Sequence, residues 1–423
     1  MNIQVLLTGN ELMSGHTVDS NSATIAMKLA AGGFKLSRKV TLGDDYSLLV
    51  SELAHLSSNC DVLIVNGGLG PTIDDLTAQA LSETSGQALE ENATALAHLT
   101  DWCDQRKYPL NKANLKQTIL PSGAQVIPNP VGSAVGFHLD FQDCLIICTP
   151  GVPSELTMML DQSIVALISQ RFPEHKPGST IRFQTFGVGE SNLQQLINNQ
   201  YSDWPQEVEL GFRAGMPLLE IKLTIADKQH KDIQQQCYQR VRQMIGDYIV
   251  GEESTTLAEA VVHLLQTKKQ TVSTAEPCTG GQIAAAITQV PGASSVFEAG
   301  FVTYSNAMKQ QLLGVDDQIL TQYGAVSEQT VKCMALGAME QTHADYAIAV
   351  SGIAGPDGGT KDKPVGTVWL AWGSKNTIKT REMHFNLGRQ VFQSWATAMA
   401  LDLLRRELLS IEAAPRYFKS LRR

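Results

Sequence analysis

Several Gly-rich strings in this chain set reactive side chains beside turns. NGGLGPTIDDLT, Asn66 to Thr77, follows an apolar run and places Gly67, Gly68 and Gly70 just ahead of Asp74 and Asp75. Glycines let the backbone turn sharply and approach a ligand closely. Successive amide N–H groups there can cradle an anion. Two carboxylates beside such a nest make sense when a divalent cation bridges them to a phosphate. The bland alternative is a tight turn with an aspartate capping the next helix. GNELMSG adds Glu11, TLGDDYS adds the pair Asp44 and Asp45, and TPGVPSEL adds Glu155, while NPVGSAVGF contributes a further turn. Together these turns on one α/β layer suggest a metal-assisted phosphate site.

A second constellation lies in the last third. STAEPCTGG, Ser273 to Gly281, looks like a strand end breaking into a turn and a helix. FVTYSNAMKQQLLGV carries Tyr304 and Lys309, and AVSGIAGPDGGTKDKPVGTVW carries Ser351, Asp357 and Lys363. An amidase needs a nucleophile, a base and donors for the oxyanion. A lysine of depressed pKa with a tyrosine as proton relay could be two of those parts. For Lys309 the competing reading is a solvated helix lysine. The centre of the turn is Pro277, which has neither a hydroxyl nor an N–H.

The elements that must position these residues alternate strand, Gly-rich turn and helix, first from IQVLLTG to about residue 170 and again from about residue 253. That order predicts two α/β layered domains with largely parallel sheets, whose ligands bind at the carboxyl ends of strands. Between them, residues 171–252 read strand, helix, two strands, helix. This is a small α+β module with a hairpin turn at Gly215, Met216 and Pro217. The expected division is 1–170, 171–252 and 253–423. Ser254 or Thr255 is the expected cap of the helix that opens the last part. A net charge of −9 argues against electrostatically driven binding to nucleic acid or anionic membranes. No apolar run is long enough to span a bilayer. The N-terminus reads as a first strand, not a signal peptide. The 7 cysteines are scattered, and Cys144 and Cys148 in CLIIC fall on one strand face as core residues. This pattern suits a reducing cytoplasm.

GNELMSG, the Gly-Asp-Asp turn, GGLGPTIDDLT, PNPVGSAVGF and PGVPSE together resemble the N-terminal domain of the competence/damage-inducible CinA family, a domain similar to molybdopterin-binding folds. The resemblance implies a metal-dependent pyrophosphatase that converts ADP-ribose to AMP and ribose 5-phosphate. Its metal (Mg²⁺, Mn²⁺ or Co²⁺) would be held among Glu11, Asp45, Asp74 and Asp75, with Asp75 catalytic. Substrate contacts would come from Asn21, Gly67, Gly68, Gly70, Thr72 and Thr77. Asn10 stands where the family usually has aspartate. The middle module is similar to the family's KH-type domain, yet has no GXXG loop, so RNA binding is not expected of it.

The last part resembles the family's C-terminal domain and nicotinamide-mononucleotide (NMN) deamidases. On that resemblance Tyr304 and Lys309 are catalytic, Gly280, Gly281, Ser351 and Gly352 contact substrate, and the nucleophilic serine is replaced by Pro277. Gln393 stands where the family tends to have arginine. The resemblance thus implies a cytoplasmic homodimer in pyridine-nucleotide recycling whose deamidase domain is impaired. Two alternatives stay open: an active bifunctional enzyme, with Cys278 as substitute nucleophile, and a non-catalytic nucleotide or pterin sensor.

Overall fold

The computed structural model describes residues 1–174 and 178–420 of the 423. Residues 175–177, within the polar stretch RFPEHKPGS expected to join the first two parts, and 421–423, at the end of the basic stretch PRYFKSLRR, lie outside them. The chain separates into two compact units, Met1–Ser179 with Ala226–Lys228, and Thr180–Ile225 with Gln229–Arg423. The middle module therefore has its own sheet but belongs to the same compact unit as the C-terminal part.

The first unit carries a six-stranded sheet in the order Leu36–Leu42, Ile3–Thr8, Val62–Asn66, Cys144–Thr149, Gly136–Phe141, Gln125–Ile127. The first four run parallel and the last two antiparallel. Ile3–Thr8, Val62–Asn66 and Cys144–Thr149 are buried throughout, as strands covered on both faces must be. Alternation sends Cys144, Ile146 and Cys148 into one core cluster and Leu145 and Ile147 into another. The cysteine pair is thus core packing, as the alternation predicts. The helix after Pro153 is not uniform: it passes through a π-helical turn at Leu160–Ile164 before resuming as Val165–Arg171.

In the second unit the middle module forms a four-stranded sheet ordered Val208–Ala214, Leu219–Ile225, Ser179–Thr185, Ile249–Glu252. The hairpin falls at Gly215, as expected, with Gly215 N–H bonded to Leu218 O at 2.9 Å. The short strand Ile249–Glu252 is an addition; it pairs antiparallel with Ser179–Thr185. The C-terminal sheet is ordered Phe297–Phe301, Val272–Ala275, Tyr346–Gly352, Thr367–Ser374, Lys379–His384. Its first three strands are parallel and its last two antiparallel. The long helix Arg389–Leu408 packs into the core. The helix Leu257–Lys268 is capped by Thr256, not by Ser254 or Thr255. Thr256 Oγ1 accepts from Glu259 N–H, and the Glu259 carboxylate accepts from Thr256 N–H. This reciprocal pair satisfies two otherwise orphaned donors. Thr255 instead donates to Glu252 O.

Candidate functional site

In the first unit the parallel strands end in the predicted turns. Gly67 and Gly68 have φ of 112° and 68°, which explains glycine at both. Gly67 N–H is taken by Thr149 O at 2.9 Å, so the free donors are Gly68, Leu69 and Gly70, which bond nothing among the described residues. Gly70 has a second reason to lack a side chain: a Cβ there would lie 2.5 Å from Asp75 Oδ2. Thr77 does not face a ligand. It is buried, with its N–H on Gly68 O and its hydroxyl on Gly67 O, so it closes the loop. Asn21 is a clasp: its amide donates to Asn66 Oδ1 at 2.9 Å and Gly151 O at 2.6 Å. Thr72 donates through both N–H and hydroxyl to Asp75 Oδ2. Lys116, unremarked in the sequence, donates to Thr72 O.

The acidic residues divide differently from expectation. Asp45 caps the helix Tyr46–Ser57, accepting from Leu48 N–H at 2.9 Å, so its carboxylate serves the helix. Asp44 is the member that faces the other acids. Burial raises its pKa first, Asn10 N–H partly opposes this, and the charges of Glu11, Asp74 and Asp75 raise it further. Among the described residues no three Asp, Glu, His or Cys side chains converge as a metal cage. The donors, all hard oxygens, fit a cation of the magnesium type. Such a cation takes one or two carboxylates and completes its shell with water and substrate phosphates. The crevice beside Gly68, Gly70, Asp75 and Lys116 holds about 20 Å³. A nucleotide would have to lie along the open carboxyl ends of the strands.

The second unit has a roomier site. Pro277, Cys278, Tyr304, Lys309, Ser351 and Arg389 line one pocket of about 260 Å³. Lys309 is 2% exposed on the helix Asn306–Leu313, so the solvated reading of it is wrong. Its Nζ donates to Thr303 O at 3.0 Å and Tyr304 O at 3.3 Å. Both are carbonyls. Burial holds its pKa below the usual lysine value. Tyr304 is 69% exposed and meets Lys309 through its carbonyl, not its hydroxyl. Ser351 donates to Ala325 O at 2.7 Å. Cys278 is buried and its thiol is pushed up to about 12 by desolvation. Gly352 is on the pocket wall, whereas Gly280 and Gly281, with φ of 65° and 93°, lead into the helix Gln282–Thr288.

The turn is held from beneath by Glu276, whose side chain is fully buried. Its carboxylate accepts from Thr279 Oγ1 at 2.9 Å, Ile283 N–H at 2.9 Å, Ala284 N–H at 2.7 Å and Thr274 Oγ1 at 3.3 Å. It therefore ties strand end, turn and helix start together and supplies the helix with the cap that Gly281 lacks. Gln393 donates to Cys278 O at 2.9 Å, so it too braces the turn.

Comparison with known proteins matches residues 4–170 to the probable molybdopterin binding domain and residues 254–408 to the CinA C-terminal domain. A CinA-like protein of Colwellia psychrerythraea is 50% identical, covering 98% of this chain and 97% of the relative. The chain belongs to the CinA-like family. Another CinA-like relative, from Shewanella frigidimarina, is 39% identical over 97% of this chain and 96% of its own length. A relative from Shewanella oneidensis named nicotinamide-nucleotide amidohydrolase PncC is 38% identical over 97% of this chain and 96% of its own length. At these CinA-type sites the sequence reading took Asp44 only as one of an acidic pair, quoted Glu276 only as part of its turn, and passed over Lys116. Asp44 could have been separated from Asp45, since a helix start favours one aspartate as its cap. Glu276 and Lys116 carry no such local signal: their roles depend on neighbours brought by folding.

Proposed function

We propose that this CinA-family chain is a hydrolase of pyridine-nucleotide turnover. In this reading the first unit cleaves the pyrophosphate of ADP-ribose, and the NMN-amidohydrolase-type pocket of the second lacks its nucleophile. The observation that carries it is a buried lysine and a proline lining one pocket. Lys309 has the desolvated amine of a general base, and Pro277 has no atom that can attack a carbonyl. Rescue by Cys278 is disfavoured because a thiol pushed up to about 12 stays protonated near neutral pH. Ser351 is committed to Ala325 O.

In the first unit, the N–H groups of Gly68 to Gly70 and the Lys116 ammonium can receive phosphate oxygens. One or two of the carboxylates of Glu11, Asp44, Asp74 and Asp75 would hold a divalent cation jointly with those oxygens. When bound, that cation neutralises charge on the phosphates. The test is direct. With ADP-ribose and Mg²⁺, Mn²⁺ or Co²⁺, the protein should release AMP and ribose 5-phosphate. From NMN it should release no ammonia, and Pro277→Ser should release it. Ammonia from the unaltered protein would favour the bifunctional enzyme. Loss of AMP formation with all three metals would favour a nucleotide sensor.

A further inference from the structure

The strands Val62–Asn66 and Cys144–Thr149 run side by side in the sheet of the first unit. Near their starting ends two thiols meet, with Cys60 Sγ 3.6 Å from Cys144 Sγ. Cys144 is 1% exposed, whereas Cys60 is half-buried. Cys60 sits in the connector between the helix Tyr46–Ser57 and the strand Val62–Asn66, outside the ladder that pairs Val62 with Leu145. Its side chain packs against the same core cluster that holds Cys144. The Gly-rich turns follow the opposite, carboxyl ends of these strands, so neither thiol has a part in the chemistry proposed above.

The two sulfurs are unlike. The hydrogen bond from the Cys144 thiol holds the pKa of Cys60 below the usual thiol value, and the N–H groups of Val62 and Gln4 act in the same direction. Burial and the charge of Asp61 oppose this without reversing it. The same thiol–thiol bond, with burial, pushes Cys144 up. The sulfur that solvent can reach is therefore the better nucleophile, and the enclosed one keeps its proton. A disulfide requires the sulfurs to close to ~2.05 Å. Turning the Cys60 side chain in its connector supplies that movement without breaking the strand ladder.

We propose that Cys60 and Cys144 are a peroxide-sensitive pair whose reversible disulfide staples the two strands. The Cys60 thiolate attacks one oxygen of hydrogen peroxide, the O–O bond breaks, and the departing hydroxide is protonated to water, leaving a sulfenic acid. The Cys144 sulfur then attacks the Cys60 sulfur. The S–O bond breaks, and the departing hydroxide takes the Cys144 proton as a second water. Two thiols and one peroxide thus give one disulfide and two waters.

Peptide mapping by mass spectrometry of the full chain, alkylated after peroxide treatment, tests this. One disulfide should join Cys60 to Cys144 and disappear with dithiothreitol. In Cys144→Ala, Cys60 should stop at the sulfenic acid and be captured by dimedone. In Cys60→Ser, Cys144 should remain a thiol. Before oxidation, iodoacetamide should label Cys60 at least tenfold faster than Cys333, which is also half-buried but has its pKa raised by burial. The bond closes a loop across 84 positions, which restricts the unfolded chain, so the oxidised first unit should melt at a higher temperature than the reduced one. The proposal is overturned if Cys60 passes to the sulfinic acid with no disulfide, if it pairs with another cysteine, if Cys60 and Cys333 are labelled at equal rates, or if the oxidised unit melts lower. None of these readouts involves either hydrolytic activity.

Discussion

At the scale of single residues, two side chains decide what the second unit can do. On the proposed reading, Pro277 leaves the pocket without an attacking atom, while Lys309 keeps an amine primed by burial. Lys309→Met in a Pro277→Ser background should therefore abolish the ammonia release expected of Pro277→Ser alone. The pH dependence has a definite sign. Burial disfavours the ammonium, so the neutral amine forms below the ordinary lysine value of 10.5. NMN turnover by Pro277→Ser should rise with pH through that depressed value and level off before 10.5. The same shift acts on stability. Between the folded and unfolded pKa values the unfolded chain holds more protons, so stability gained from this group rises with pH. In urea titrations, the unfolding free energy of the parent relative to Lys309→Met should move in the parent's favour as pH approaches 10.5. A pH-independent difference would contradict the assignment.

At the scale of elements, the adjacent aspartates at the start of the helix Tyr46–Ser57 separate a structural role from a functional one. Asp45→Ala should destabilise the protein by ~1 kcal/mol, the usual value of a lost cap, and leave AMP formation nearly intact. Asp44→Asn should do the reverse, lowering AMP formation at least tenfold with little change in melting temperature. The strand–turn–helix order, both Gly-rich sites and the hairpin at Gly215 were legible because they rest on local periodicity and turn chemistry. What was not legible depends on contacts made across the sequence. The strand Ile249–Glu252 exists because Ser179–Thr185 offers it an edge. Lys309 is buried by its pocket, against the expectation for a polar helix position. Glu276 becomes a hub only when Ile283 and Ala284 turn their N–H groups back onto it.

At the scale of the molecule, the second unit is held together by a buried polar cluster. Arg405, on the C-terminal helix, pairs with Asp402 at 2.7 Å and donates to Ile249 O and Asp247 O of the middle module. Tyr417 donates to the same aspartate at 2.9 Å. Removing one partner leaves an uncompensated buried charge. Arg405→Ala should therefore cost about 3–5 kcal/mol, read as an earlier melting transition of that unit. AMP formation by the first unit should survive at temperatures below that transition. An unchanged melting profile would show that the cluster does not join the middle module to its neighbour.

The four-donor clamp on Glu276 has a genetic consequence. It grips Thr274, Thr279, Ile283 and Ala284 without touching the side chain at 277. Substitution at 277 therefore need not dismantle the turn. Proline and serine codons can differ by one base, so the hydroxyl is a single point mutation away. A bacterial strain made dependent on this protein for NMN deamidation should gain growth through Pro277→Ser mutants.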